Sequence, residues 1–184
     1  MTEPELIARS KQGDLDCFNQ LVEAYQQQVF NLCLRMLGNY HDAEDVSQTA
    51  FISAFKAIGK FRGGSFKAWL FRIAANGCRD HLRLLRRRPA TSLDAVPLDL
   101  EIDRHAISPE DYAAGRELDE VVTRALAAIP PDQRLAVILR DIMGLEYAEI
   151  ALATRSSSGT VKSRISRGRE RLRDHLREYM EPTP

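Results

Sequence analysis

The sequence predicts an all-α protein made of two small helical domains joined by a flexible acidic linker. Apolar residues recur at helical spacing along most of the 184-residue chain, and no run of alternating apolar and polar residues indicates a strand. The periodicity is lost between Pro89 and Ile107, in a stretch marked by prolines. We therefore expect one domain over residues 1–88, a linker over residues 89–107 and a second domain over residues 108–184.

Two helices are predicted at the start of the first domain. Thr2 and Glu5 have the spacing of a capping box, and Asp14 is placed to cap a long amphipathic helix. Gly38 follows the last apolar residue of that helix, where a left-handed residue commonly ends a helix.

Two further helices complete the first domain. Asp42, with Asp45 three residues later, predicts the start of a helix that runs to Gly59. A glycine-containing loop, Phe61 to Phe66, then precedes an amphipathic helix over Lys67 to Leu85.

The second domain has equally clear helix boundaries. Ser108 followed by Pro109 predicts a cap and a first helical residue, and that helix stops at Pro130. Another helix ends at Gly144. Two helices separated by a tight turn come last, the second of them opening at Ser158, and this pair predicts a helix-turn-helix.

Charge is strongly segregated although the formal net charge is zero. Residues 79–88 hold five arginines and one acid, whereas residues 94–120 hold nine acids and two arginines. Residues 155–173 hold seven cations and one acid. Cationic blocks are often only solvated helix faces, but few acids here can pair with these cations, so we favour two nucleic-acid-binding surfaces.

The last cationic helix has three distinct faces when its residues are placed 100° apart. Its apolar stripe is Val161, Ile165, Gly168, Leu172 and Leu176. Ser163, Ser166 and Arg167 lie opposite, with cations along both flanks. This pattern is typical of a helix that reads base edges in a major groove while its flanks hold phosphates.

Three motifs in order resemble a bacterial RNA polymerase sigma factor of the extracytoplasmic-function group, which keeps only the second and fourth conserved regions. They are DAEDVSQTAFISAF at 42–55, FRGGSFKAWLFRIAANGCRDHLR at 61–83, and the pair GLEYAEIA with GTVKSRISRGRERLR in the helix-turn-helix. The resemblance implies an alternative sigma factor that binds core RNA polymerase, recognises promoters and helps to open the −10 region.

The resemblance also implies three sets of functional residues. Those that bind the clamp of the largest polymerase subunit are Asp42, Glu44, Asp45 and Gln48. Those that bind the −10 element are Phe61, Arg62, Gly63, Gly64, Ser65, Phe66, Arg72, Asn76, Arg79 and Arg83. Those that bind the −35 element are Thr160, Lys162, Ser163, Arg164, Ser166, Arg167, Arg169 and Arg171.

The implied partners are core RNA polymerase, including the flap of its second largest subunit, promoter DNA and an anti-sigma factor. The chain departs from the family pattern at Thr49, where Glu is frequent, and at Glu146, where a capping Ser is common. Arg155 with the following serines replaces a Gly-Cys-Pro-Val type of turn.

No enzyme, cofactor or metal site is predicted. The chain lacks GxxxxGK[ST], HExxH and GxSxG motifs, its four histidines are scattered, and its three cysteines contain no CxxC pair. No signal peptide or membrane-spanning run is evident, so we expect a cytoplasmic protein without membrane insertion or a small-molecule substrate. The alternative is a helix-turn-helix repressor or response regulator that acts on duplex DNA alone.

Overall fold

The prediction of an all-α fold is confirmed. The computed structural model describes residues 1–87 and 109–180, without the side chains of residues 109–117 and 178–180, and the described residues contain helices and turns but no strand. The predicted linker, residues 89–107, lies outside the described residues. No helix in the described part of the chain is both long enough and apolar enough to cross a membrane.

Four helices form the first half. They are α1 (Glu3–Ser10), α2 (Leu15–Leu37), α3 (Tyr40–Ala57), which continues as a 3₁₀ turn (Ile58–Lys60), and α4 (Phe66–Arg87). The predicted caps of the first two are present. The Glu5 carboxylate accepts a hydrogen bond from the Thr2 backbone N–H at 2.8 Å, and Asp14 accepts one from the Cys17 N–H at 3.0 Å. Gly38 ends α2 with a φ of 71°.

The predicted cap of α3, Asp42, is wrong by three residues. The helix begins at Tyr40, and the Asn39 side chain caps it by accepting a hydrogen bond from the Asp42 N–H at 2.9 Å. Asn is as good a cap as Asp, and Asn39 is the first residue after Gly38 to return to extended backbone. The Asp42 carboxylate lies instead 3.1 Å from Nε2 of His81 on α4.

Four helices form the described part of the second half. They are α5 (Pro109–Ala127), α6 (Pro131–Val137) with a π-helical turn (Ile138–Ile142), α7 (Tyr147–Thr154) and α8 (Ser158–Met180). Gly144 has a φ of 71° in the turn before α7. The helix-turn-helix is therefore α7 and α8, as predicted.

One hydrophobic core runs through both halves, because α2 and α4 pack against the second half as well as against each other. Arg134 is buried at this junction. Its guanidinium donates hydrogen bonds to the carbonyl of Met36 in α2 and to the carbonyls of Ala127 and Ile129 after α5. Burial lowers the pKa of Arg134. The three carbonyl groups accept the hydrogen bonds that water would otherwise accept from the guanidinium.

Candidate nucleic-acid interface

The faces of α8 lie as the sequence predicts. Val161, Ile165 and Gly168 are buried against the rest of the second half. On the opposite side are exposed residues with short polar or cationic side chains, namely Lys162, Ser163, Ser166, Arg167 and Arg171. A helix that projects serines and one arginine between cationic flanks has the chemistry to contact base edges and phosphates together.

The serine-rich turn before α8 supplies its cap. Arg155 ends α7 in the left-handed region, with a φ of 50°. The Ser157 hydroxyl accepts a hydrogen bond from the Thr160 N–H at 3.2 Å, and the Ser156 hydroxyl accepts one from Arg164 at 2.8 Å. The sequence did not identify Ser157 as the cap of α8 or Ser156 as the partner of Arg164. The three consecutive serines carry the same hydroxyl group, so the sequence does not distinguish among them.

The start of α7 is capped despite the departure at Glu146. The Glu149 carboxylate accepts a hydrogen bond from the Glu146 backbone N–H at 2.9 Å, as in a capping box. The Ser65 hydroxyl of the loop before α4 and the Glu146 N–H together lower the pKa of Glu149. The same Ser65 hydroxyl caps α4 by accepting from the Ala68 N–H at 3.1 Å.

Several of the predicted DNA-contacting arginines have acidic partners in this structure. Arg169 makes two hydrogen bonds to Asp141, and these raise its pKa. Arg164 lies 3.2 Å from Asp132, and Arg79 lies 3.1 Å from the same carboxylate. Arg83 pairs with Asp80 on the surface of α4.

The loop between α3 and α4 is built on a buried aromatic cluster. The rings of Phe61 and Phe66 are 7% and 2% exposed and lie 5.3 and 5.5 Å from the ring of Trp69. Only Arg62 and the two glycines are exposed at the loop tip. Gly63 and Gly64 have φ values of 96° and 87°, a conformation that side chains rarely adopt.

The exposed side of α4 carries the remaining residues predicted for the −10 element. Asn76 is exposed, whereas Arg72 and Arg79 are half-buried. Asn76, Arg79 and Arg83 line a cleft of about 500 Å³ together with residues of the second half. Two predicted DNA surfaces therefore meet at one cleft, which the sequence could not indicate.

An open groove of about 630 Å³ separates α2 from α3. Its walls include Phe30, Phe51 and the exposed Ile52, and two of the predicted polymerase-binding residues, Glu44 and Gln48, lie on its edge. Asp45 is exposed on α3 outside the groove, and Asp42 faces His81. An apolar groove with acids beside it suits a helical partner that carries cations.

Two family models match the chain, one in each half. The family described as sigma-70 region 2 matches residues 21–88, and sigma-70 region 4 matches residues 119–172. The chain is 39% identical over 178 residues to the ECF RNA polymerase sigma-E factor of Escherichia coli K12, covering 94% of this chain and 93% of that protein.

Two solved structures match both halves of the chain. CnrH, in complex with the cytosolic domain of CnrY, has a TM-score of 0.71 and 28% identity, covering 94% of this chain and 96% of that one. The sigma factor RpoE of Bartonella quintana, in complex with the anti-sigma factor NepR, has a TM-score of 0.69 and 30% identity, covering 87% of this chain and 96% of that one. The chain belongs to the extracytoplasmic-function sigma factors of bacterial RNA polymerase.

Proposed function

We propose that this sigma factor binds promoter DNA through two domains, region 2 in residues 1–88 and region 4 in residues 108–184, with residues 89–107 as the linker. The exposed face of α8 supports this proposal most directly, because Ser163, Ser166 and Arg167 project between cations while Val161 and Ile165 hold the helix in the core. This α8 face contacts the −35 element as duplex, with base contacts from its centre and phosphate contacts from its flanks.

The loop of residues 61–66 and the exposed side of α4 bind the −10 element. The two left-handed glycines give the loop tip an open backbone that a displaced base can approach. Asn76 offers both a donor and an acceptor to a base edge, and Arg62, Arg72 and Arg83 supply positive charge for the strand. Phe61 and Phe66 act by holding the loop rather than by stacking on DNA, since their rings are buried.

The groove between α2 and α3 binds the clamp of the largest polymerase subunit. Glu44 and Gln48 at its edge and Asp45 beside it meet cations of the clamp, while the apolar walls bury its helix. The Asp42 carboxylate lies beside His81 of α4. Asp42 therefore supports this surface by its contact with α4 and not by binding the clamp directly. Region 4 in turn binds the flap of the second largest subunit.

An anti-sigma factor controls access to these surfaces. The two similar structures named above were solved with such a partner or with a cytosolic domain bound, and they cover nearly the whole of this chain. A membrane-bound anti-sigma factor would hold the protein at the membrane. The sigma factor itself is a non-catalytic subunit, and the polymerase carries out RNA synthesis.

Promoter-dependent transcription tests the proposal. Core polymerase alone and core polymerase with this protein are incubated with sheared genomic DNA of the source organism, and the 5′ ends of the transcripts are mapped. We expect a small set of shared start sites that appears only when the protein is added. Transcripts with the same random start sites in both reactions would contradict the sigma-factor function.

The duplex-binding repressor or response regulator is the weaker alternative. Such a regulator has no need of residues 21–88 that match sigma region 2, nor of the groove between α2 and α3. It would bind duplex DNA without changing the start-site pattern of core polymerase, so the same experiment separates the two functions.

A further inference from the structure

Helix α1 contacts the aromatic cluster that carries the loop of residues 61–66. Just after the last residue of α1, the ammonium group of Lys11 lies 5.4 Å from the centroid of the Phe61 ring. A cation at this distance is attracted to the face of an aromatic ring. Phe61 is the first residue of the loop, so the positive charge of Lys11 lies where the loop begins.

A second contact holds the other end of α1 against the same cluster. The Tyr25 hydroxyl of α2 donates a hydrogen bond to the Glu3 carboxylate in the first turn of α1. The Tyr25 ring lies 5.7 Å from the ring of Phe66, the last residue of the loop. Partial burial and the bond to Glu3 raise the pKa of Tyr25, so its hydroxyl remains a donor. The position of α1, and with it that of Lys11, is therefore fixed relative to both ends of the loop.

The cations around this loop have no acidic partners, unlike several other cations of the proposed DNA surfaces. Lys11, Lys60 and Arg62 are exposed, and none of them forms an ion pair within the part of the chain that the structure describes. By contrast, Arg83 of α4 and Arg169 of α8 lie against carboxylates. A cation without a carboxylate partner can bind a phosphate without first breaking an ion pair.

We infer that Lys11 is a further contact for the displaced strand of the −10 element and binds a phosphate beside the base at the loop tip. The inference rests on the proposed binding of that strand by the loop of residues 61–66. The Phe61 ring lies on one side of the ammonium group, which leaves N–H donors for a phosphate oxygen.

The position of Lys11 over the ring also favours binding. Because the ring already restricts the long lysine side chain, less conformational freedom is lost when a phosphate binds. The residues that match sigma-70 region 2 begin at position 21, so Lys11 lies outside that match.

The test measures binding of the full-length protein to two labelled DNA probes by fluorescence anisotropy. One probe is a mixed-sequence single strand of about 16 nucleotides, and the other is a duplex of the same length. Affinity is measured between about 50 and 200 mM salt, because the slope of log affinity against log salt reports the number of phosphate contacts.

Three variants separate a local contact from a general effect of charge. Lys11→Gln removes the charge, whereas Lys11→Arg keeps a cation that can lie over the ring. Arg9→Gln is the matched control, since it removes one positive charge from the same helix, but Arg9 is paired with Asp14 at 2.7 Å. Trp69 is the only tryptophan of the chain and lies 5.3 Å from the Phe61 ring, so its fluorescence emission reports on the packing of the aromatic cluster. Thermal unfolding establishes that each variant is folded.

We expect Lys11→Gln to reduce the steepness of the single-strand salt dependence by about 0.7, which corresponds to one lost phosphate contact. The ratio of wild-type to Lys11→Gln affinity should then fall about 2.6-fold between about 50 and 200 mM salt. Lys11→Arg and Arg9→Gln should keep the wild-type slope. On the duplex, Lys11→Gln should keep it as well.

Three results would overturn the contact: an unchanged single-strand slope in Lys11→Gln, an equal decrease in Arg9→Gln, or an equal decrease on the duplex. A reduced slope together with a shifted Trp69 emission would also overturn it, because the loop itself would then have changed. Neither polymerase nor promoter is present, so a Lys11 effect without promoter-dependent transcription would reject only the proposed function. Promoter-dependent transcription without a Lys11 effect would reject only this inference.

Discussion

Gly168 of α8 lies so close to Val137 of α6 that a Cβ atom at position 168 would be 2.6 Å from the valine Cγ2 atom and 3.1 Å from the carbonyl oxygen of Gln133. The sequence places this glycine in the middle of the apolar stripe of α8, where an ordinary side chain would be expected to pack. Because Gly168 has no side chain, α8 approaches α6 closely. The position of the outward face of α8 depends on that contact.

Gly168→Ala should therefore destabilise the second half. A methyl group at this site forces either Val137 or the α6 backbone to move, and overpacking of this kind costs about 1 to 3 kcal/mol in the free energy of unfolding. Urea unfolding measures the loss. Gly159→Ala is the control, since a Cβ there meets nothing within 4 Å and should be neutral or slightly stabilising. Equal stability of the two variants would show that α8 does not depend on the close approach.

Arg167→Ala should change promoter choice. Arg167 is exposed at the centre of the outward face of α8, and loss of an arginine contact to a base costs on the order of 1 to 3 kcal/mol at one position of the −35 element. Arg171 on the flank of the helix is the control, and Arg171→Ala should weaken all sequences alike and reduce the salt dependence of binding. The affinity of each variant protein is measured for a set of −35 sequences. The same sequence-independent loss of affinity in both variants would contradict this assignment.

Asn76→Ala should impair promoter opening more than duplex binding. Asn76 is exposed on α4, and we place its amide donor and acceptor against a base edge of the opened strand. Permanganate reactivity of thymines in the −10 region reports opening, and gel-shift affinity reports duplex binding. Asn19→Ala, at another exposed asparagine far along the chain on α2, should leave both unchanged. Unaltered permanganate reactivity in Asn76→Ala would remove Asn76 from the −10 contacts.

The stability of the folded protein should decrease in acid through Glu149. The Ser65 hydroxyl and the Glu146 N–H lower the pKa of Glu149 in the folded protein. A lowered pKa gives a stabilising contribution that is complete above the unfolded-state pKa of about 4.3 and is lost as pH falls through the folded value. Thermal unfolding of Glu149→Gln between pH 3 and 7 should show a lower melting temperature near neutrality and a smaller decline in acid.

Glu23→Gln provides the comparison for this measurement, because Glu23 is an exposed carboxylate on the surface of α2. It should follow the wild-type pH profile. If Glu149→Gln followed the same profile as well, the interactions of the Glu149 carboxylate with Ser65 and the Glu146 N–H would not contribute to stability.

Much of the fold could be predicted because its signals are local. The caps at Thr2, Asp14 and Gly38 depend on residues within four positions of one another, and each was found where the sequence placed it. The cap of α3 was missed by three residues, since Asn39 and Asp42 are both good caps and only the geometry after Gly38 decides between them. The faces of α8 were also predictable, because helical spacing alone separates Val161 and Ile165 from Ser163 and Arg167.

By itself the sequence determined the helices, the segregation of charge and the membership of the chain in a family that binds DNA with two regions. The tertiary structure decided which charges meet. Arg79 and Arg164 are 85 positions apart in the chain, and no periodic pattern brings them to Asp132. Likewise, the burial of Phe61 and Phe66 behind the glycine loop follows from packing against Trp69. Helix formation depends on neighbours in sequence, whereas ion pairing and burial depend on neighbours in space, and only the packed halves supply those.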